Sequence, residues 1–272
     1  MERKSGCHFL CRPITHWLTD FISVNISMDC RTIWTLFDGV IDMRKVGLVG
    51  GIGPESTLDY YKGINSGYAR KSCAGGNPPL IIDSLNLAVM YALAANKQWD
   101  EFTERLVGSI QNLAAGGAEF AAMAANTAHI VFEAVSRQSP IPLISIVEET
   151  CKAAQIKKCK NVVIFGTAFT MSSGLYTEAF AAYGIKAVVP IPAEQKIIHE
   201  IIFPHLQEGI VLPEEKSSIL QIAERMIAEN QADALILGCT ELPLIIQEQD
   251  LEVLVLDTTQ IHIDAIVDYM LD

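Results

Sequence analysis

The sequence predicts an α/β protein of two pseudo-symmetric lobes, each a mainly parallel sheet flanked by helices, with a ligand cleft between them. Three observations carry that expectation. From Val46 onward, short β-rich runs alternate with longer runs of helical spacing, the pattern of βα units. The second half then repeats the first: "NVVIFGT" resembles "KVGLVGG", and "QADALILGCTE" resembles "GAEFAAMAANTA". The step from Gly50 to Ala125 also differs from that between Gly166 and Cys239 by only about two residues.

The elements follow in order. "VGLVGG" reads as a strand that leads into the helix "PESTLDYYKGINSGYARK", with Pro54 at its first position. "PLIIDSLN" is the second strand, "YALAANKQWD" a loop, and "WDEFTERLVGSIQNLAAGG" has helical spacing. "AEFAAMAAN" is a buried strand running into a helical "TAHIVFEAVSRQ". The expected organisation is an N-terminal extension at 1–42 and a first lobe at 43–142, joined by a C-terminal helix at 258–272, with a second lobe at 143–257. Met43 stands directly before the first strong strand, so 1–42 reads as an upstream start or a loosely attached extension, the alternative being an added helix that packs on the domain or a partner.

A chain of 272 residues, 50% hydrophobic and 19% charged, can bury a sizeable core. The net charge of −12 argues against a nucleic-acid partner, which needs a basic surface. Seven scattered cysteines match no disulfide framework and no metal-ligand spacing, which favours a reducing, cytoplasmic setting. No apolar run is long enough to span a bilayer, so a small molecule is the expected partner, with no membrane involved.

Ligands of open parallel sheets collect beyond the carboxyl ends of the strands. That rule gathers residues 50–54, 125–129, 166–170 and 238–241 around one cleft. "GGIGPES" offers free backbone N–H groups to an anion, or is simply a tight turn; Ser56 in place of the third glycine argues against a dinucleotide site. Asn126, Thr127 and Thr240 can hold a carboxylate, or merely cap helices. Cys239 stands at a strand-to-helix turn, where a helix dipole would depress its pKa, while Cys151 and Cys159 read as inert core thiols. His129 and Glu241 follow the key positions, with a ligand role and a satisfied or solvent-facing role both open.

The motifs "VGLVGGIGPESTLDYY", "AANTAH", "GTAFTM" and "LGCTELPLI", in this order, resemble the aspartate/glutamate racemase family from Met43 to Asp272. The resemblance implies a homodimer that uses no cofactor, and the residues themselves lead to no expected metal. It also implies that one cysteine removes the α-proton of an acidic amino acid while another returns a proton from the opposite face. Cys239 matches the second of those cysteines, whereas Ala125 stands in the place of the first. By the same resemblance Ile52, Ser84, Asn96 and Lys196 fall in pocket-lining regions, with Asn126, Thr127, Thr170 and Thr240 on the substrate side. Lys196 or Lys97 would supply positive charge. The expected activity is an amino-acid racemase, impaired or altered by Ala125. The alternatives are a cofactor-free decarboxylase using the single Cys239, or a non-catalytic amino-acid-binding homologue.

Overall fold

Short runs of Val, Ile, Leu and Ala bounded by turn residues form strands buried on both faces. A computed structural model of the protein describes residues 43–72 and 76–272, so the expected extension at 1–42 lies outside the described residues. Strands β1 (Val46–Gly50), β2 (Leu80–Ser84), β3 (Phe120–Met123) and β4 (Leu143–Ile144) form a parallel sheet in the order β2-β1-β3-β4. Strands β5 (Asn161–Gly166), β6 (Lys186–Val188), β7 (Ala234–Gly238) and β8 (Leu254–Asp257) form a second, in the order β6-β5-β7-β8. The topology is thus duplicated, as the sequence repeat requires. Val46 pairs with Phe120 and Val162 with Ala234, register offsets that differ by about two residues.

Helix α1 (Pro54–Lys71) follows β1 and coincides with "PESTLDYYKGINSGYARK". Next come α2 (Leu87–Ala95) and α3 (Trp99–Ala115) between β2 and β3, then α4 (Phe132–Ser136) before β4. Helix α2 corrects the expectation of a loop at "YALAANKQWD". Its residues "LAVMYALAA" favour helix and Asn86 caps them by accepting from Val89 N–H at 3.2 Å, but a uniformly apolar run shows no period. The helix expected over "TAHIVFEAVSRQ" instead begins as a 3₁₀ turn, Thr127–Val131, before α4.

Helices α5 (Ile146–Ile156) and α10 (Thr258–Leu271) are exchanged between the halves. α5 follows β4 of the first sheet, yet Ile146, Cys151 and Ala154 pack with Val162, Ile164 and Ile236 of the second. α10 follows β8 of the second sheet, yet Ile263, Ile266 and Val267 pack with Val46, Leu48 and Phe120 of the first. Each half therefore completes the core of the other. Gly63 of α1 permits the close approach of α10, since a Cβ there would stand 2.5 Å from Ile263 Cδ1.

Two buried histidines fasten these crossings. His262 Nε2–H donates to Ile144 O at 3.0 Å, so its Nδ1 accepts from Tyr60 O–H at 2.7 Å. His129 Nδ1–H donates to Ala125 O at 3.0 Å, and its Nε2 accepts from Ile146 N–H at 3.2 Å. Burial lowers both pKa values, to about 4 for His129 and about 3 for His262. Above the ordinary value of 6.5 both rings are neutral in either state; below it the unfolded chain takes up protons that the native chain refuses. Stability should therefore fall progressively as pH drops from 6.5 towards 4. At pH 5 each ring costs about 2 kcal/mol relative to pH 7. Urea midpoints measured at pH 7, 6 and 5 check this, and a flat series would show that the rings are charged in the folded state.

Candidate active site

The loops beyond the carboxyl ends of β1, β3, β5 and β7 line a cavity of about 620 Å³. Ile52 and Gly53 come from the first loop, Ala125, Asn126 and Thr127 from the second. Thr167 and Thr170, from the third loop and the short α6 (Ala168–Ser172), and Cys239, Thr240 and Glu241, from the fourth, close the other side. Ile52, Ala125, Asn126, Thr127, Thr170, Cys239 and Thr240 are thus brought together as the sequence suggested.

Four expected positions are not. Ser84 is exposed at the end of β2 and does not line the cavity. Lys196 lies on α8 (Pro192–Ile202), which follows α7 (Leu175–Ala182) and β6; its exposed ammonium pairs with Glu200 at 3.6 Å. The other family-implied candidates fare alike: Asn96 turns back on α2 to donate to Ala92 O at 2.9 Å, and Lys97 is exposed. Among the described residues, none that lines the cavity is Lys or Arg.

The state of Cys239 also differs from expectation. Its thiol is buried and donates to Glu241 Oε2 at 2.9 Å, while Thr240 Oγ1 donates to the same oxygen at 2.8 Å. Burial first, and then the charge of Glu241, hold the Cys239 pKa well above the usual thiol range. The helix dipole expected to depress it is missing, because only a 3₁₀ turn, Leu242–Leu244, follows. Cys239 rests as a protonated thiol with a carboxylate against its sulfur.

Asn126 joins the lobes. Its Oδ1 accepts from Tyr176 O–H at 2.5 Å and its Nδ2 donates to Thr258 Oγ1 at 3.2 Å, which in turn donates to Leu237 O at 2.9 Å. These bonds hold the amide in one orientation, and the second N–H of Nδ2 is still available to a ligand in the cavity. Thr127 is half-buried and its hydroxyl has no protein partner among the described residues. The N-terminus of α1 also faces the cavity through Gly53 and Ser56, with no side-chain cap on its N–H groups.

Several contributors carry no sequence signal strong enough to single them out. Ser56, read above only as a missing glycine, donates to Ala124 O at 2.7 Å and ties α1 to the end of β3. Thr57 Oγ1 accepts from Gly51 N–H and donates to Gly53 O, both at 2.9 Å, which fixes the first loop. Gly51 is required there: its φ is +79°, and a Cβ would stand 2.1 Å from Leu85 O. His129, open to either role in the sequence, is structural and lies outside the cavity lining, whereas Glu241 is in it.

The Asp/Glu/Hydantoin racemase family model matches residues 49–266. The chain is 24% identical over 218 residues to the broad specificity amino-acid racemase RacX of Bacillus subtilis (strain 168), covering 79% of this chain and 92% of that protein. It superposes with a TM-score of 0.80 on a Yersinia pestis protein solved as a candidate Asp/Glu racemase, at 28% identity, over 85% of this chain and 100% of that one. An aspartate racemase homologue from Pyrococcus horikoshii OT3 superposes at 0.76 with 32% identity, over 85% and 100% of the two chains. Family model, relatives and duplicated fold agree, and the chain belongs to the Asp/Glu/hydantoin racemase family.

Proposed function

We propose that the protein is an amino-acid racemase of the aspartate/glutamate type that works without a cofactor, altered because Cys239 is its one thiol acid/base. The observation that carries this reading is the Cys239–Glu241 contact at 2.9 Å inside a cavity where the matching position of the other lobe, Ala125, presents a methyl. Glu241 Oε2 takes the thiol proton, and the thiolate then removes the α-proton, so the S–H bond re-forms as the C–H bond breaks. The electron pair spreads onto the α-carboxylate, met by the Thr127 hydroxyl and the uncapped N–H groups of α1. Return from Cys239 restores the starting enantiomer. Inversion needs a proton from the side of Ala125, where a methyl has none to give.

Exchange should therefore outrun inversion. Incubating the full chain with a panel of amino acids in deuterium oxide, with α-proton loss read by NMR and chirality by chromatography, tests this. Equal rates would mean a second working base; neither process, with saturable binding, would select the amino-acid-binding alternative. Carbon dioxide release from an α-substituted malonate would select the decarboxylase. A homodimer belongs to the same reading on the family resemblance alone, and a cytoplasmic setting on the scattered cysteines alone.

Glu241→Gln should slow exchange by about tenfold to a hundredfold, since it deletes the acceptor of the thiol proton. It also removes the negative charge that raises the Cys239 pKa, so the alkaline rise of the pH–rate profile should move to lower pH. A slower enzyme with an unmoved profile would assign Glu241 a merely structural part.

A further inference from the structure

Away from Cys239 and Thr127, much of the cavity wall is apolar, although Ser56, Thr167, Thr170 and Gln207 also line it. Ile52, Leu87, Met90 and Tyr91 face Phe169 and Phe203 across it. Tyr91 of α2 and Phe169 of α6 meet edge to face, with ring centroids 6.0 Å apart, so one apolar surface continues from one lobe to the other. Leu87 and Tyr91 are 36% and 49% exposed although both line the cavity. Large apolar side chains collected on the open side of a concave site are explained by a ligand that covers them.

The charges point the same way. Among the described residues the lining holds one carboxylate, Glu241, and no Lys or Arg to receive a second one from a substrate. His199 is the remaining basic group there, and its Nδ1 is buried without a protein partner. Burial lowers its pKa, which disfavours the imidazolium that an acidic side chain would require. The nearest candidates from the sequence, Lys196 and Lys97, are exposed and outside the lining. A β- or γ-carboxylate placed here would lose its hydration without gaining a counter-charge.

We propose that the substrate carries a bulky apolar side chain, aliphatic or aromatic, so that the site serves an apolar amino acid rather than aspartate or glutamate. The inference rests on the proton-transfer reading for what happens at Cα, but the side-chain preference is a binding property and is measured separately. A cavity of about 620 Å³ is ample for such a ligand.

The test is calorimetric titration of the full chain with both enantiomers of phenylalanine, leucine and methionine, against aspartate and glutamate, with α-proton exchange followed on the same set. At least one apolar amino acid should bind about a hundredfold more tightly than either acidic one, and exchange should follow that order. Selective apolar binding without exchange would uphold the substrate class and defeat the turnover reading. Aspartate or glutamate binding as well as the apolar set would overturn the proposal, and so would failure of every member to bind.

Discussion

Ala125→Cys is expected to raise the rate of inversion by at least about a hundredfold, the lower range for a correctly placed acid or base. Position 125 follows β3 as position 239 follows β7, and both side chains line the cavity. The methyl of Ala125 rests partly buried against the apolar cluster that includes Ile52 and Phe169, but it also borders open volume. One added sulfur can enter that volume without overpacking the core. The new thiol would hold a proton on the face that Cys239 does not reach, so each carbanion could be protonated from either side. Inversion should then approach exchange in rate. Chiral chromatography with the best-exchanging amino acid reads the gain, with melting temperature and ligand affinity as controls. A folded, ligand-binding variant that inverts no better than the parent would defeat the two-face reading.

The parts of the fold legible in the sequence are those in which one local signal decides. β1, β3, β5 and β7 are short apolar runs that end in turn residues, and α1 has proline at its start with basic residues in its last turn. The cleft followed from the repeat, because equal topologies put equal strand ends together. Where tertiary contacts decide, sequence was silent. Nothing local says that His129 will donate to Ala125 O and accept from Ile146 N–H, the bonds that fold "TAHIV" as a 3₁₀ turn. Lys196 reads as a substrate anchor, yet it lies about one turn before His199 and about two before Phe203, which line the cavity where it does not. The thiol of Cys239 departs from the expected low pKa because a three-residue turn supplies no helix dipole, while burial and Glu241 raise it.

Cys239→Ala should lower α-proton exchange by about a thousandfold or more, because it removes the thiol proposed to carry that proton. The fold should survive. The side chain loses a single sulfur from an apolar cluster, a cost of about 1 kcal/mol, and Glu241 keeps the hydrogen bond from Thr240. Ligand affinity should persist too, since the Thr127 hydroxyl and the α1 terminus are untouched. The decisive comparison is with the exchanged pair, Ala125→Cys together with Cys239→Ala. The parent chain should exchange the enantiomer whose Cα–H points at position 239, whereas the exchanged pair should prefer its mirror image, with the thiol now on the first lobe. The effects of the two substitutions cannot add, because removal and return of the proton are halves of one event. Deuterium incorporation into each pure enantiomer, compared between the two proteins, reads that reversal. If both proteins exchange the same enantiomer, positions 125 and 239 do not face each other across a common Cα, and the proton must travel by another group.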